Sequence, residues 1–229
     1  MQIRPLQPLD WDSELEALFQ SPRLPQYLSK LQTSWHAEQE RRNQFQAEIN
    51  RYDGKKVEFI NGEVVLPMSV KKEHADVLWL LLNLLKHFVL LRGLGYVGYE
   101  KIMISLARND YEPDICFFGK GKADEFKSKQ ARFPAPDFVV EVLSPDSETR
   151  DRVTKFYDYA ANGVLEYWVI DPAGEIIEQY VLHNGVYELQ QKSSSGQIRS
   201  EAIAGFEIPV RAVFDSQENL QVLQKILAP

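Results

Sequence analysis

The chain has 229 residues, 44% of them apolar and 11% aromatic. That is enough for one large domain with a sizeable core, and it excludes a disordered or fibrous protein. Twenty-six Lys and Arg against 33 Asp and Glu leave a net charge of −7, which argues against a general nucleic-acid coat or an anionic-membrane binder while leaving room for a local basic groove. The single cysteine, Cys116, excludes an intramolecular disulfide framework and a cysteine-rich zinc site, and four scattered histidines argue against a histidine-only metal cage.

Met1–Asp10 has no charged stretch leading into an apolar run, so no signal peptide is expected and a cytoplasmic location is the default. Residues 11–50 read as a helical arm loosely tied to the rest. Asp12-Ser13 can cap Glu14–Phe19, and Pro22 suits the first turn of the next helix. His36–Asn50 is densely polar, with Trp35, Phe45 and Ile49 as apolar anchors, the pattern of an exposed arm or an oligomer contact.

Val57–Ile60, Asn61-Gly62 and Glu63–Leu66 predict a hairpin over an Asn-Gly turn. A helix over Glu73–Leu91 should follow, with Gly93 ending it. Its leucine-rich part, Val77–Leu91, is short of the about 20 apolar residues of a membrane span and carries Lys86 and His87, so it reads as a buried core helix and no membrane association is expected. Strands are expected at Tyr96–Leu106 and Asp114–Phe118, with the turn at Asn109-Asp110, then a lysine-rich loop over Lys120–Arg132. Phe138–Leu143 is an apolar strand, followed by a helix over Glu148–Ala161 and a second buried strand at Tyr167–Ile170. A hairpin at Ile176–Leu182 and Val186–Gln190 turns over His183-Asn184-Gly185, and Asp215 to Glu218 is a capping box for a last helix. This order gives an α/β (α+β) protein with one mixed central sheet and a crossover from Phe138 to Ile170.

Gly93-Leu94-Gly95-Tyr96-Val97-Gly98 has the glycine spacing of a dinucleotide fingerprint but runs from helix to strand. The phosphate-binding mechanism needs the reverse order, so this is read as a turn. The stronger signal is acidic. Asp114 enters one apolar strand, and Glu141 lies inside another with Val139 and Leu143 as its same-face neighbours. A buried carboxylate there must be protonated, salt-bridged or bound to a cation. If the strands pair, the two acids meet at one end of the sheet and suit Mg²⁺ or Mn²⁺. The alternative is a structural ion pair of Glu141 with Arg150, Arg152 or Lys155. On the helix that follows, Val153, Phe156, Tyr157 and Ala160 form the expected apolar stripe. Lys155 lies off it, beside Asp151 and Tyr159, either reaching back toward the acids or paired with Asp151 in solvent.

These pieces carry a resemblance. Val57-Glu58-Phe59-Ile60-Asn61-Gly62-Glu63, His74, Glu112-Pro113-Asp114, Pro136-Asp137 with Phe138 to Ser144, Arg150-Asp151 with Lys155, and Gly163 to Pro172 together resemble, in order, the Uma-two family of endonucleases, within the PD-(D/E)XK restriction-endonuclease-like superfamily. The resemblance spans about residues 50–190. It implies a restriction-endonuclease-like core over 51–229 with residues 1–50 as an added arm. It also implies metal-dependent hydrolysis of DNA, with Asp114, Glu141 and the carbonyl of Val142 binding Mg²⁺ or Mn²⁺. The usual lysine two residues after the second acid is replaced by Leu143, and Lys155 matches a lysine migrated to the next helix. Glu58 matches a supporting acid or ligand, and His74 a helix-start residue that either faces the site or serves the core. Lys120, Lys122, Lys127, Lys129 and Arg132 offer phosphate contacts or else form a solvated loop. A homodimer would suit duplex cleavage. The competing reading is a binding or structural module on the same fold with weak or lost catalysis.

Overall fold

Period-two alternation within strands buried on both faces organises the architecture. The computed structural model describes residues 11–52, 54–69 and 71–228. A six-stranded sheet runs in the order β11-β10-β9-β8-β6-β3. Its strands are β3 (Gly95–Tyr99), β6 (Ile115–Gly119), β8 (Phe138–Val142), β9 (Glu166–Asp171), β10 (Ile176–His183) and β11 (Val186–Ser193). β8 and β9 are parallel and joined through a helix, as expected of a crossover, while the other pairs are antiparallel. Phe138, Val140, Val142, Ile115, Phe117, Trp168 and Ile170 face one core, whereas Val139, Leu143, Cys116, Phe118, Tyr167 and Val169 face another.

The first core is covered by α3 (Lys72–Arg92) and α6 (Ser216–Leu227). α3 is long and apolar enough to cross a membrane, yet Leu81, Leu84 and Leu85 are fully buried in this core. Trp79, Leu90 and Leu91 remain exposed on its outer side. Gly93 ends it in the left-handed conformation, φ 61°, which a glycine adopts without steric penalty. Asp215 caps α6 by accepting from the amides of Gln217 and Glu218, but the amide of Asp215 donates to Arg211 instead, so only half of the expected capping box forms.

A second, five-stranded sheet, additional to the one mixed central sheet expected, has the order β2-β1-β5-β4-β7. It comprises β1 (Glu58–Ile60), β2 (Glu63–Val65), β4 (Met103–Ser105), β5 (Asp110–Tyr111) and β7 (Arg132–Phe133). β1 and β2 form the anticipated hairpin, with Asn61 and Gly62 both at positive φ. The predicted Tyr96–Leu106 strand is split at Glu100, φ 50°, so that β3 joins the large sheet and β4 the small one. The lysine-rich stretch begins with a single helical turn, α4 (Lys120–Ala123), and Phe126 packs edge-on against Phe118 and Phe133. Gln197–Arg199 and Glu207–Pro209, β12 and β13, pair as a small ribbon that the hydropathy pattern did not mark.

At the N-terminal side lie α1 (Trp11–Phe19) and α2 (Leu24–Ala47). Pro22 precedes α2, and Pro25 holds its first turn. Met1–Asp10 and the side chains of Asp12 and Ser13 lie outside the described residues. Phe45 is buried against Phe59, and Ile49 packs on the same cluster, while Trp35 is exposed. Arg42 is buried. Its guanidinium donates to both carboxylate oxygens of Asp110, at 2.8 and 2.9 Å, and to the carbonyls of Leu106, Ala107 and Asn109. The second half of α2 is therefore tied into the fold rather than loosely attached.

Candidate active site

Antiparallel pairing of β6 with β8 puts Ile115 opposite Val140. One step further in the same register sets Asp114 beside Glu141, so the two acids enter one cleft of about 460 Å³. Its walls also carry Lys56, Glu58, His74, Val142, Arg150 and Lys155. Leu143 sits in the aromatic core on the Glu141 face, far from any charge-bearing role.

Asp114 is almost wholly buried and multiply held. Its Oδ1 is 2.7 Å from Lys56 Nζ, its Oδ2 accepts the amide of Val142 at 2.8 Å, and His74 Nε2 lies 3.6 Å from the same oxygen. Burial opposes ionisation, but Lys56 and His74 outweigh it and hold the carboxyl well below the usual aspartate range. His74, in the first turn of α3, thus faces the site; its Nδ1 is buried without a hydrogen-bond partner.

Glu141 accepts from Lys155 Nζ and from the Tyr159 hydroxyl, both at 3.0 Å. The same ammonium is 3.0 Å from Glu58 Oε1 and 3.2 Å from Asp151 Oδ1. Of the readings open for Glu141, the structure shows the ion pair with Lys155. Burial pushes the Glu141 carboxyl up to about 8; Lys155 holds it back, while Asp151 and Asp114 push it further. Burial also raises Asp151. Lys155 itself is raised well above the ordinary lysine value: burial alone would lower it, but Asp151, Glu141 and Glu58 prevail.

The helix carrying these groups departs from the expected phase. Arg150–Lys155 forms a π-helical stretch that leads into α5 (Phe156–Ala161). Asp151, Lys155, Tyr159 and Ala160 are the buried positions, while Val153, Phe156 and Tyr157 are only partly covered. Of the predicted apolar stripe, only Ala160 lies on the innermost face. The buried Tyr167 hydroxyl donates to the carbonyl of Asp151 in this stretch at 3.0 Å.

Two participants were missed from sequence. Lys56 was not singled out, although a lysine immediately before an apolar strand is its trace. Asp151 belongs to the resemblance but carries no site role there, its one assigned contact being with Lys155 in solvent, whose four-residue spacing it does keep. In the lysine-rich loop, Lys120 pairs with Asp124 at 2.8 Å and Lys122 with Asp137 at 2.6 Å, so part of its charge is already compensated.

Four carboxylates, Glu58, Asp114, Glu141 and Asp151, contact only two ammonium groups in this buried cluster. When all are ionised the two ammonium groups leave two negative charges, or one where His74 beside Asp114 carries a proton. Glu58 Oε2 is buried with no hydrogen-bond partner. This all-oxygen donor set suits a hard divalent cation in both chemistry and charge. No group of three or more His, Cys, Asp or Glu side chains stands ready-assembled around one point among the described residues, because lysines hold the carboxylates instead.

The chain is an α/β protein with a mixed sheet, and an acidic cluster with lysines stands where β6 begins and β8 ends. Residues 42–211 match the Uma2 family, described as "Putative restriction endonuclease", and the chain belongs to that family. Its fold is similar to the crystal structure of a putative nuclease belonging to DUF820 from Anabaena variabilis ATCC 29413, with a TM-score of 0.60 and 16% identity over 73% of this chain and 90% of that one. No curated protein gives a significant match.

Proposed function

We propose that this protein is a cytoplasmic, divalent-metal-dependent endonuclease that hydrolyses DNA phosphodiester bonds. The observation that carries the reading is the buried excess of carboxylates over ammonium groups around Asp114 and Glu141, in a chain whose family is described as "Putative restriction endonuclease". Asp114, Glu141 and the carbonyl of Val142 would hold Mg²⁺ or Mn²⁺. When bound, the ion supplies Lewis-acid activation of water and neutralises charge building on the phosphate. Asp114 is already ionised by its neighbours and needs no deprotonation to serve as a ligand. Glu58 and Asp151 keep Lys155 charged and fixed against Glu141, so a positive charge stands beside the acids although Leu143 replaces the usual lysine. The reading includes a homodimer, supported by the exposed apolar side chains on the first half of α2.

The test is plasmid cleavage with Mg²⁺ or Mn²⁺ against chelator, together with calorimetric Mn²⁺ titration of the wild type and of Asp114→Asn. Metal-dependent cleavage, with Mn²⁺ binding abolished in Asp114→Asn, is the expected result. A folded wild type that neither binds Mn²⁺ nor cuts DNA or RNA overturns it in favour of a binding or structural module.

A further inference from the structure

We propose that Lys56, and not Lys155, is the ammonium that contacts the substrate phosphate, and that it is handed over from Asp114 when the cleft fills. The inference rests on the nuclease reading of this cleft and assigns its substrate-facing cation.

An ammonium has three N–H donors. Lys155 has three carboxylate neighbours, at 3.0, 3.0 and 3.2 Å, and its side chain is 3% exposed. Glu141 accepts a hydrogen bond from it, Glu58 and Asp151 hold it by charge, and the nearly sealed side chain is committed to these three anions. Turning Lys155 toward a phosphate would strand Glu58, Glu141 and Asp151 as buried unpaired charges, each of which is costly. Its placement makes it a positioning residue.

Lys56 has the opposite character. Its side chain is 27% exposed, it lines the cleft, and among the described residues its hydrogen-bond partner is Asp114 Oδ1 alone. Two of its donors are therefore without a partner among the described residues. It stands just ahead of β1, where the next amide, that of Val57, is clamped by Glu112 Oε2 at 2.8 Å. The backbone is thus fixed while the four-carbon stem reaches from a firm base. The oxygen it occupies belongs to the acid assigned above to the metal. A cation arriving on Asp114 would repel the ammonium and compete for Oδ1, releasing Lys56 into the cleft where a phosphate oxygen attracts it.

The experiment measures binding of a fluorescein-labelled mixed-sequence DNA duplex by anisotropy in Ca²⁺ over a salt series, with plasmid cleavage in Mn²⁺ alongside. It compares wild type, Lys56→Gln and Lys56→Arg. The glutamine amide can still donate to Asp114, so the variant keeps the local hydrogen bond, and an unchanged circular dichroism spectrum verifies its fold. Lys56→Gln is expected to weaken binding roughly tenfold and to lower the log–log salt slope by about one, the signature of one lost phosphate contact. Mn²⁺ affinity should be retained or tightened, and Lys56→Arg should recover DNA binding. A folded Lys56→Gln that binds DNA with wild-type affinity and salt slope overturns the assignment, even when the wild type cuts DNA. A wild type that neither binds nor cuts DNA overturns the nuclease reading, and this assignment with it.

Discussion

Lys155 Nζ and Glu141 Oε1 stand 3.0 Å apart across 14 residues of sequence, both nearly sealed from solvent. The sequence placed Lys155 off the apolar stripe, so its removal would have been expected to leave the fold alone. The structure reverses that expectation: three carboxylates depend on this one ammonium. Lys155→Met should cost about 3–5 kcal/mol, the scale for breaking a buried ion pair, and lower the melting temperature. It should also reduce cleavage by roughly 10²-fold or more, the scale of losing one electrostatic stabiliser. A purely structural lysine would not move the pH dependence of metal binding. Here the loss of positive charge should push the Glu141 carboxyl still higher and shift the pH midpoint of Mn²⁺ binding upward. An unshifted midpoint in the folded variant would remove Lys155 from the site's electrostatics.

Glu141 also makes the pH profile predictable. Burial raises its carboxyl from 4.5 to about 8, with Asp151 and Asp114 adding to the rise and Lys155 opposing it. Between those two values the folded protein holds a proton that the unfolded chain has released. This group's contribution to stability is therefore intact below about pH 4.5 and is lost as pH rises toward 8. Metal binding has the opposite slope, because the proton must leave before Glu141 can serve as a ligand. Mn²⁺ affinity measured from pH 6 to about 8 should rise, with proton release visible as a buffer-dependent calorimetric enthalpy. Glu141→Gln should flatten that rise, and a flat wild-type profile would show that Glu141 is not a ligand.

How much of this was legible depended on the range of each interaction. Asn61-Gly62 and Gly93 were readable because a positive φ leaves a local signature. Glu141 was readable because a single acid interrupts a continuous run of buried apolar residues. The small sheet was not, since β5 and β7 are two residues long and carry no periodicity. The helical stripe was misread because the π-helical turn shifts the phase that a 3.6-residue period assumes. Lys56 escaped because its partner lies 58 residues away, a contact no local pattern encodes.

Arg42 tests the boundary placed between residues 50 and 51. Asp110 is fully buried, and its carboxylate partners are Arg42 and Gln46, both on α2. Arg42→Ala should cost about 3–5 kcal/mol by stranding that carboxylate, against a total stability of about 5–15 kcal/mol for a typical domain. A chain starting at residue 51 loses both partners and Phe45, and is expected to be insoluble or unfolded. A cooperative thermal transition in that shortened chain would establish residues 1–50 as a dispensable arm.

The first half of α2 has no such anchor. Leu28, Leu31 and Trp35 are exposed and spaced by three and four residues, which sets them along one face of the helix. Phe19 on α1 is exposed as well. A helix of 24 residues spans roughly 36 Å, and an apolar stripe along its free half is the arrangement that pairing with a second copy would cover. Two copies related by a two-fold axis would also present two clefts to the two strands of a duplex. Light scattering of the wild type at micromolar concentration should therefore report a dimer, and Leu28→Glu with Leu31→Glu should report a monomer whose circular dichroism is unchanged. The same variant should nick plasmid DNA while losing most double-strand breakage, because each remaining copy carries a single site. A wild type that stays monomeric with and without DNA, or a double variant that stays dimeric, would rule out this pairing.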